Sequence, residues 1–309
     1  MSGFKILKSG LFSTIQDLGR DGYTHLGITP SGAMDEYAYR WSQKLLGDVD
    51  GNALEILLSG LTLQATAPTT IAVCGADLDF RINGISQAIW QTHTIKENDI
   101  LSFEKKNSGM RTYLAVKGGF SVQKYENSFS TTLKEHKGKQ VKTGDTLPFH
   151  VTYHSEVKRV SDKYIPNYPS HMTLRIVLGY QHKAFTTSQK KKFFSSTYTL
   201  TPQMNRMGYT LQGEAIIPNH NSSSSDGIIS EGISFGAVQI PPDGQPIILL
   251  KERQTIGGYP KMGSVIPSDC FKLSQLPIGA IVRFEAISIE DAQEEMKVFY
   301  GFFNKDKKK

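Results

Sequence analysis

The 309-residue sequence predicts a mainly β protein built of two barrel units related by an internal repeat. Three observations carry that expectation. Apolar residues fall in short runs or alternate at period two, as at residues 70–74 (TIAVC), 111–116 (RTYLAV), 174–178 (LRIVL), 246–250 (PIILL) and 281–284 (IVRF). Turn formers are plentiful, with 28 glycines and 13 prolines to punctuate short strands. The third observation is the repeat itself. Residues 17–27 (DLGRDGYTHLG) align with residues 203–213 (QMNRMGYTLQG), matching Arg20, Gly22, Tyr23, Thr24 and Gly27 to Arg206, Gly208, Tyr209, Thr210 and Gly213. The register continues, with Glu55 and Gly60 falling on Glu231 and Gly236, then Ile100 and Phe103 on Ile281 and Phe284.

Helices are few. Residues 35–46 place Tyr37, Ala38, Trp41 and Leu45 at helical spacing behind Asp35, a natural N-cap. Residues 187–194 and 289–299 predict two more. The polar, proline-bearing stretch 154–171 reads as a linker, and 219–226 (NHNSSSSD) as a long loop. The expected organisation is a first barrel with a bridging segment over 1–153, a second barrel over 172–290, and a terminal helix with a basic tail over 291–309.

Composition narrows the function classes. The net charge of +6 comes largely from Lys190–Lys192 and the tail lysines from 305, and the tail lysines have among them neither the arginines nor the aromatics of a nucleic-acid groove. No apolar run is long enough to cross a bilayer, and the first ten residues carry no apolar signal segment. Two isolated cysteines, Cys74 and Cys270, sit in apolar runs and read as buried thiols of a cytoplasmic protein, with neither a disulfide framework nor a metal site. There is no G-x-x-x-x-G-K-[ST] phosphate loop and no dinucleotide fingerprint.

Five motifs then carry a resemblance: residues 14–23 (TIQDLGRDGY), 31–35 (SGAMD), 205–208 (NRMG), 236–241 (GAVQIP) and 254–260 (QTIGGYP). Over about residues 10–287 the chain resembles the KipA-like family, formerly allophanate hydrolase subunit 2. That family includes the C-type subunit of 5-oxoprolinase and one half of the carboxyltransferase region of urea carboxylase. The resemblance implies a pair of cyclophilin-like β-barrels and a subunit of a complex. The implied partners are the KipI-like and LamB/YcsF-like subunits of 5-oxoprolinase, its B-type and A-type components. Together they would open 5-oxo-L-proline to L-glutamate while hydrolysing ATP, bound at a shared or partner site. Two alternatives stay open: a KipA-type regulator antagonising a KipI-like kinase inhibitor, and a urea carboxylase-like carboxyltransferase component. The chain has no biotin carrier motif. It departs from the family pattern at residues 126–131 (ENSFST), 135–140 (EHKGKQ) and 179–181 (GYQ).

Beside that resemblance, residues 251–260 (KERQTIGGYP) form the leading site candidate, because their polar groups follow an apolar strand. Lys251 is expected to stabilise developing negative charge. Gln254, Thr255 and Tyr259 are expected to bind substrate, with Gly257 and Gly258 offering N–H groups as an anion nest. A glycine-rich hairpin with solvated charges is the alternative for the same pattern. Asn205, Arg206 and Gln239 are further substrate-binding candidates, and His25 is a candidate acid or base. Glu55 and Glu231, each in an apolar run, are expected to pair with Arg20 and Arg206.

Overall fold

The computed structural model describes residues 2–48, 51–152, 156–218 and 228–304. The expected loop at 219–226 and the basic tail from 305 lie outside the described residues, as does part of the expected linker. Two compact units emerge. Residues 1–20 and 31–168 form the first, and residues 21–30 and 169–305 the second.

The first unit has two antiparallel sheets packed face to face. One runs in the order Thr146–Pro148, Gly3–Ser9, Leu61–Ala65, Ile100–Phe103, Phe80–Ile82, Ile85–Ser86. The other runs Phe12–Gln16, Ala53–Leu57, Ser108–Val116, Thr69–Asp77, Gln91–Ile95. Their inner faces meet in one core that includes Phe4, Leu54, Ile71, Val73, Leu101, Phe103 and Leu114. The second sheet is buried on its outer face too, because helix α1 (Glu36–Leu46) packs on Thr69–Asp77 and Ser108–Val116. That explains why residues 69–76 are buried without alternation and 71–76 (IAVCGA) carry no polar side chain. The helix begins as its sequence predicts: Asp35 Oδ1 accepts from Ala38 N at 3.1 Å. It ends at Gly47, left-handed at φ 67°. Ala38, Trp41 and Leu45 face inward.

The turn before α1 and the segment 125–132 are tied down by buried charge. Asp17 accepts from Ser128 Oγ at 2.7 Å, Phe129 N at 2.7 Å and Ser130 Oγ at 2.5 Å. Arg20, 1% exposed, donates to Thr132 Oγ1 at 3.0 Å and to the carbonyls of Tyr125 and Ser130, with Glu126 3.5 Å away. The 126–131 stretch, where the sequence departs from its family, therefore spends its hydroxyls inside the fold.

The second unit is a closed seven-stranded barrel: His171–Leu178, Lys261–Val265, Ala237–Gln239, Ile247–Leu249, Gly208–Gly213, Tyr198–Met204, Ile281–Ala286. A parallel pairing of the first and last strands in that order closes it, with His171 opposite Ile281. Helix α2 (Thr187–Ser195) is capped by Thr186 and sends Phe193 against Phe284, ring centroids 4.4 Å apart. Helices α3 (Pro267–Leu273) and α4 (Ile289–Asn304) are clamped by Arg175, which binds Asp269 at 2.6 Å and also Glu295. Cys74 and Cys270 are both free and buried. No helix among the described residues is long and apolar enough to cross a membrane.

The positions matched by the repeat have different settings. Glu55 is in the middle of strand Ala53–Leu57, whereas Glu231 begins a two-residue ribbon strand. Their expected arginine pairing is replaced. Glu55 has Arg111 as a guanidinium neighbour at 3.7 Å. Glu231 has Lys261 at 2.7 Å, and Arg206 pairs with Glu252 instead.

Candidate functional site

Two pieces of local structure build a polar cleft in the second unit. Strand Lys261–Val265 pairs with Ala237–Gln239 so that Lys261 stands directly opposite Gln239. Outside the barrel ladder, Glu231–Gly232 and Ile256–Gly257 form a short antiparallel ribbon that sets Glu231 opposite Gly257. Between them opens a cleft of about 270 Å³, lined by Gly179, Tyr180, Gln181, Glu231, Gly232, Ser234, Lys261, Gly263 and Ser264. Its floor depends on close backbone approach. A Cβ at Gly263 would fall 2.2 Å from Val177 O, a contact only glycine avoids.

Glu231 is the hub of the cleft. Its carboxylate accepts from Tyr180 Oη and Gln181 Nε2 and lies 2.7 Å from Lys261 Nζ. The Gln181 amide is oriented from its other side, since Lys261 N donates to Gln181 Oε1 at 2.8 Å. Ser234 Oγ and Ser264 Oγ lie 2.7 Å apart. The arrangement offers one carboxylate, one ammonium, amide donors and hydroxyls within a small opening. That set suits hydrogen-bonding recognition of a small polar molecule and proton transfer to or from it.

The candidates read from the sequence separate into those near this cleft and those elsewhere. Gln239 is 2% exposed, and a Cβ at Gly257 would lie 2.8 Å from both Gln239 Nε2 and Gln254 Nε2. Gln239, Gln254 and Gly257 thus converge beside Glu231. The glycines do not form the expected anion nest. Neither Gly257 nor Gly258 has a positive φ, and Gly258 O accepts from Ile228 N at 2.7 Å. Thr255 is half-buried, with its carbonyl accepting from Ile233 N at 3.1 Å, and Tyr259 is 41% exposed.

Lys251 is displaced from the role expected of it. It is 8% exposed, with its ammonium 4.8 Å over the Phe235 ring and 5.5 Å over Phe271. The chain turns back after strand Ile247–Leu249 and carries the charge under these rings. Arg253 is buried with it. It donates from Nε to Ile233 O at 3.0 Å and from Nη1 to Leu250 O at 3.2 Å, and burial lowers its pKa to about 10. Neither side chain lines the cleft. Arg206 is fixed to Glu252 at 2.5 Å, and Asn205 Oδ1 accepts from Met207 N at 2.7 Å as an Asx turn in the hairpin. His25 lies in the exposed turn Thr24–Leu26.

Lys261 and the cleft role of Glu231 had no distinct signal in the sequence. A lysine opening a strand looks the same whether it faces solvent or a cleft. Tyr180 stood out, as the residue at which 179–181 departs from the family's Gly-Pro-Gln, without any indication of its partner.

Comparison with known proteins places this geometry in a family. Residues 26–286 match the model for the carboxyltransferase domain, subdomains A and B. The chain is 33% identical to the C-type subunit of 5-oxoprolinase from Escherichia coli (strain K12), covering 96% of each chain. It is 34% identical to the C-type subunit of 5-oxoprolinase from Haemophilus influenzae, over 91% of this chain and 90% of that one. Among solved structures, Kluyveromyces lactis urea carboxylase superposes with a TM-score of 0.90 at 25% identity, covering 98% of this chain and 29% of that one. With such identity to two of these subunits over nearly their whole length, this chain belongs to the carboxyltransferase domain family, within its group of 5-oxoprolinase C-type subunits.

Proposed function

We propose that this chain is the C-type subunit of an ATP-dependent 5-oxoprolinase, turning over 5-oxo-L-proline only when assembled with a KipI-like and a LamB/YcsF-like subunit. The carrying observation is the 33% identity, over 96% of each chain, to a protein named as that subunit. In this reading the cleft of the second unit receives the small cyclic amide. Ring opening adds water across the C–N bond, with hydroxyl going to the carbonyl carbon and a proton to the ring nitrogen. Glu231 is the group placed to pass that proton, and Tyr180 and Gln181 hold its carboxylate in position. What the cleft offers does not suit a triphosphate. A single ammonium beside a carboxylate does not balance the charge of a triphosphate, and Gly179, Gly232 and Gly263 all lack the positive φ of a phosphate nest. ATP in this reading belongs on a partner or at a shared site.

The test is co-expression with the two partner subunits, followed by measurement of ATP-dependent glutamate release from 5-oxo-L-proline. The assembled complex should turn over and the isolated chain should not. Robust turnover by the isolated chain, or none by the complex, overturns the proposal. The close fit to urea carboxylase favours one second reading, a carboxyltransferase component acting on a carboxylated carrier. Carboxyl transfer by the complex without glutamate release would favour that reading.

A further inference from the structure

Beside the cleft lie two buried nitrogen donors with unused capacity. Gln239 Nε2 has no hydrogen-bond partner among the described residues, although the residue is 2% exposed. Leaving an amide N–H₂ unsatisfied in a barrel wall is costly, so the position calls for an acceptor. Lys261 Nζ is the second. It lies 2.7 Å from Glu231 Oε1 yet makes no aligned hydrogen bond, and an ammonium carries three donors. The two charges are paired, while the N–H vectors of the ammonium remain available. Gln239 and Lys261 are directly opposed on neighbouring strands, and opposed side chains on one sheet face are about 5 Å apart at Cβ. That spacing lets both reach the two oxygens of a single carboxylate.

We infer that the second barrel binds the carboxylate of a small organic acid between Lys261 Nζ and Gln239 Nε2. The inference rests on reading this cleft as the ligand site and specifies the ligand's chemical class. A neutral amide gives Lys261 no reason to leave Glu231, whereas a carboxylate competes for it. Binding then draws the ammonium off Glu231 and leaves that carboxylate the stronger base beside the bound molecule. The acid thus selects itself and also activates the group that is to move its proton. Lys261 is a binding residue in this scheme, and Gln239 is the residue that distinguishes two acceptor oxygens from one.

The experiment is calorimetric titration of the full-length chain with 5-oxo-L-proline and with 2-pyrrolidinone, the same lactam without its carboxylate. The acid should bind and the neutral lactam should bind at least about tenfold more weakly, the loss expected for a charge-assisted contact. Lys261→Met and Gln239→Met should each weaken the acid by about 10- to 100-fold and leave the neutral lactam unchanged. Circular dichroism and melting temperature establish that each variant is folded, and the two variants report independently if one is not. Lys191→Ala, on the exposed side of α2, should bind like the parent chain. Equal affinity for the two lactams, no binding of either, or folded variants with parental affinity would overturn the inference. Failure of the functional reading looks different: the acid binds as described, while the assembled wild-type complex releases no glutamate.

Discussion

Glu55 and Glu231 are the same residue type at positions matched by the internal repeat, yet they do opposite things. Glu55 is 3% exposed and accepts from Tyr113 Oη at 2.7 Å and Met34 N at 2.9 Å. Burial first, and then the charge of Glu55, push the Tyr113 phenol well above its ordinary pKa, so it remains a donor. A backbone N–H is among its partners, and that N–H is fixed by the turn entering α1. Among the described residues the Glu231 carboxylate is held by side chains, from Tyr180, Gln181 and Lys261, on a ribbon two residues long. A carboxylate fastened to backbone knits a core. One fastened only to side chains can exchange them, and such a position is where chemistry is to be sought.

Four changes put that contrast at risk. The largest effect on folding is expected from Glu55→Leu, which leaves Met34 N and Tyr113 Oη without this acceptor and removes the carboxylate beside the Arg111 guanidinium. Removing one partner of a buried charged network costs about 3–5 kcal/mol. Urea denaturation should show that loss, and a loss below about 1 kcal/mol would remove the distinction between the two sites. Glu231→Leu should behave in the reverse way. With the Glu231 side chain 32% exposed, its stability effect should stay below that of Glu55→Leu. Glutamate release by the assembled complex, however, should fall by about 100-fold or more. A third change addresses the charge that the sequence pointed to and the fold buried. Lys251→Met should cost about 1–2 kcal/mol in stability through the lost contact with Phe235 and Phe271. It should alter turnover little once the protein is folded.

The smallest effect concerns pH. His93 in the first unit stacks edge-on against Phe80 at 5.3 Å, and its Nε2 lies 2.9 Å from Ala88 O. Burial lowers its pKa below the usual 6.5 despite that hydrogen bond. The unfolded chain therefore takes up the proton first, and stability falls as pH drops below about 6.5. His93→Gln should flatten that part of the acid limb in melts between pH 7 and pH 5. An unchanged slope would show that the imidazole titrates as it does in water.

Much of the fold was legible because it is local. Period-two runs marked the strands, and Asp35 followed by Ala38, Trp41 and Leu45 marked α1 and its buried face. Gln239 was legible as a polar residue in an otherwise apolar strand. The centre of the cleft was not, because its contacts join distant parts of the chain. Gln181 meets Lys261 across 80 residues, and Glu231 meets Lys261 from a strand paired with Ile256–Gly257. Lys251 shows the limit from the other side. Its place at the end of a strand is a local fact, but whether the next turn carries it outward or beneath two rings is decided by packing. The glycine pair misled for the same reason. Two consecutive glycines permit a left-handed turn, and here they are used for extended strand pairing and for space beside two glutamine amides.

The parallel seam between His171–Leu178 and Ile281–Ala286 bears on how the protein is made. The strand that opens the second barrel emerges from the ribosome long before the one that completes it. Until then, one side of His171–Leu178 is a bare row of amides and carbonyls, and Tyr198–Met204 lacks its neighbour on that side as well. Pairings this distant in sequence form slowly, and unpaired edges are where chains meet other chains. The strand from Ile281 onward is thus a kinetic checkpoint: a chain cut short before it is expected to leave the barrel open and prone to aggregate, even though it retains every side chain that lines the cleft.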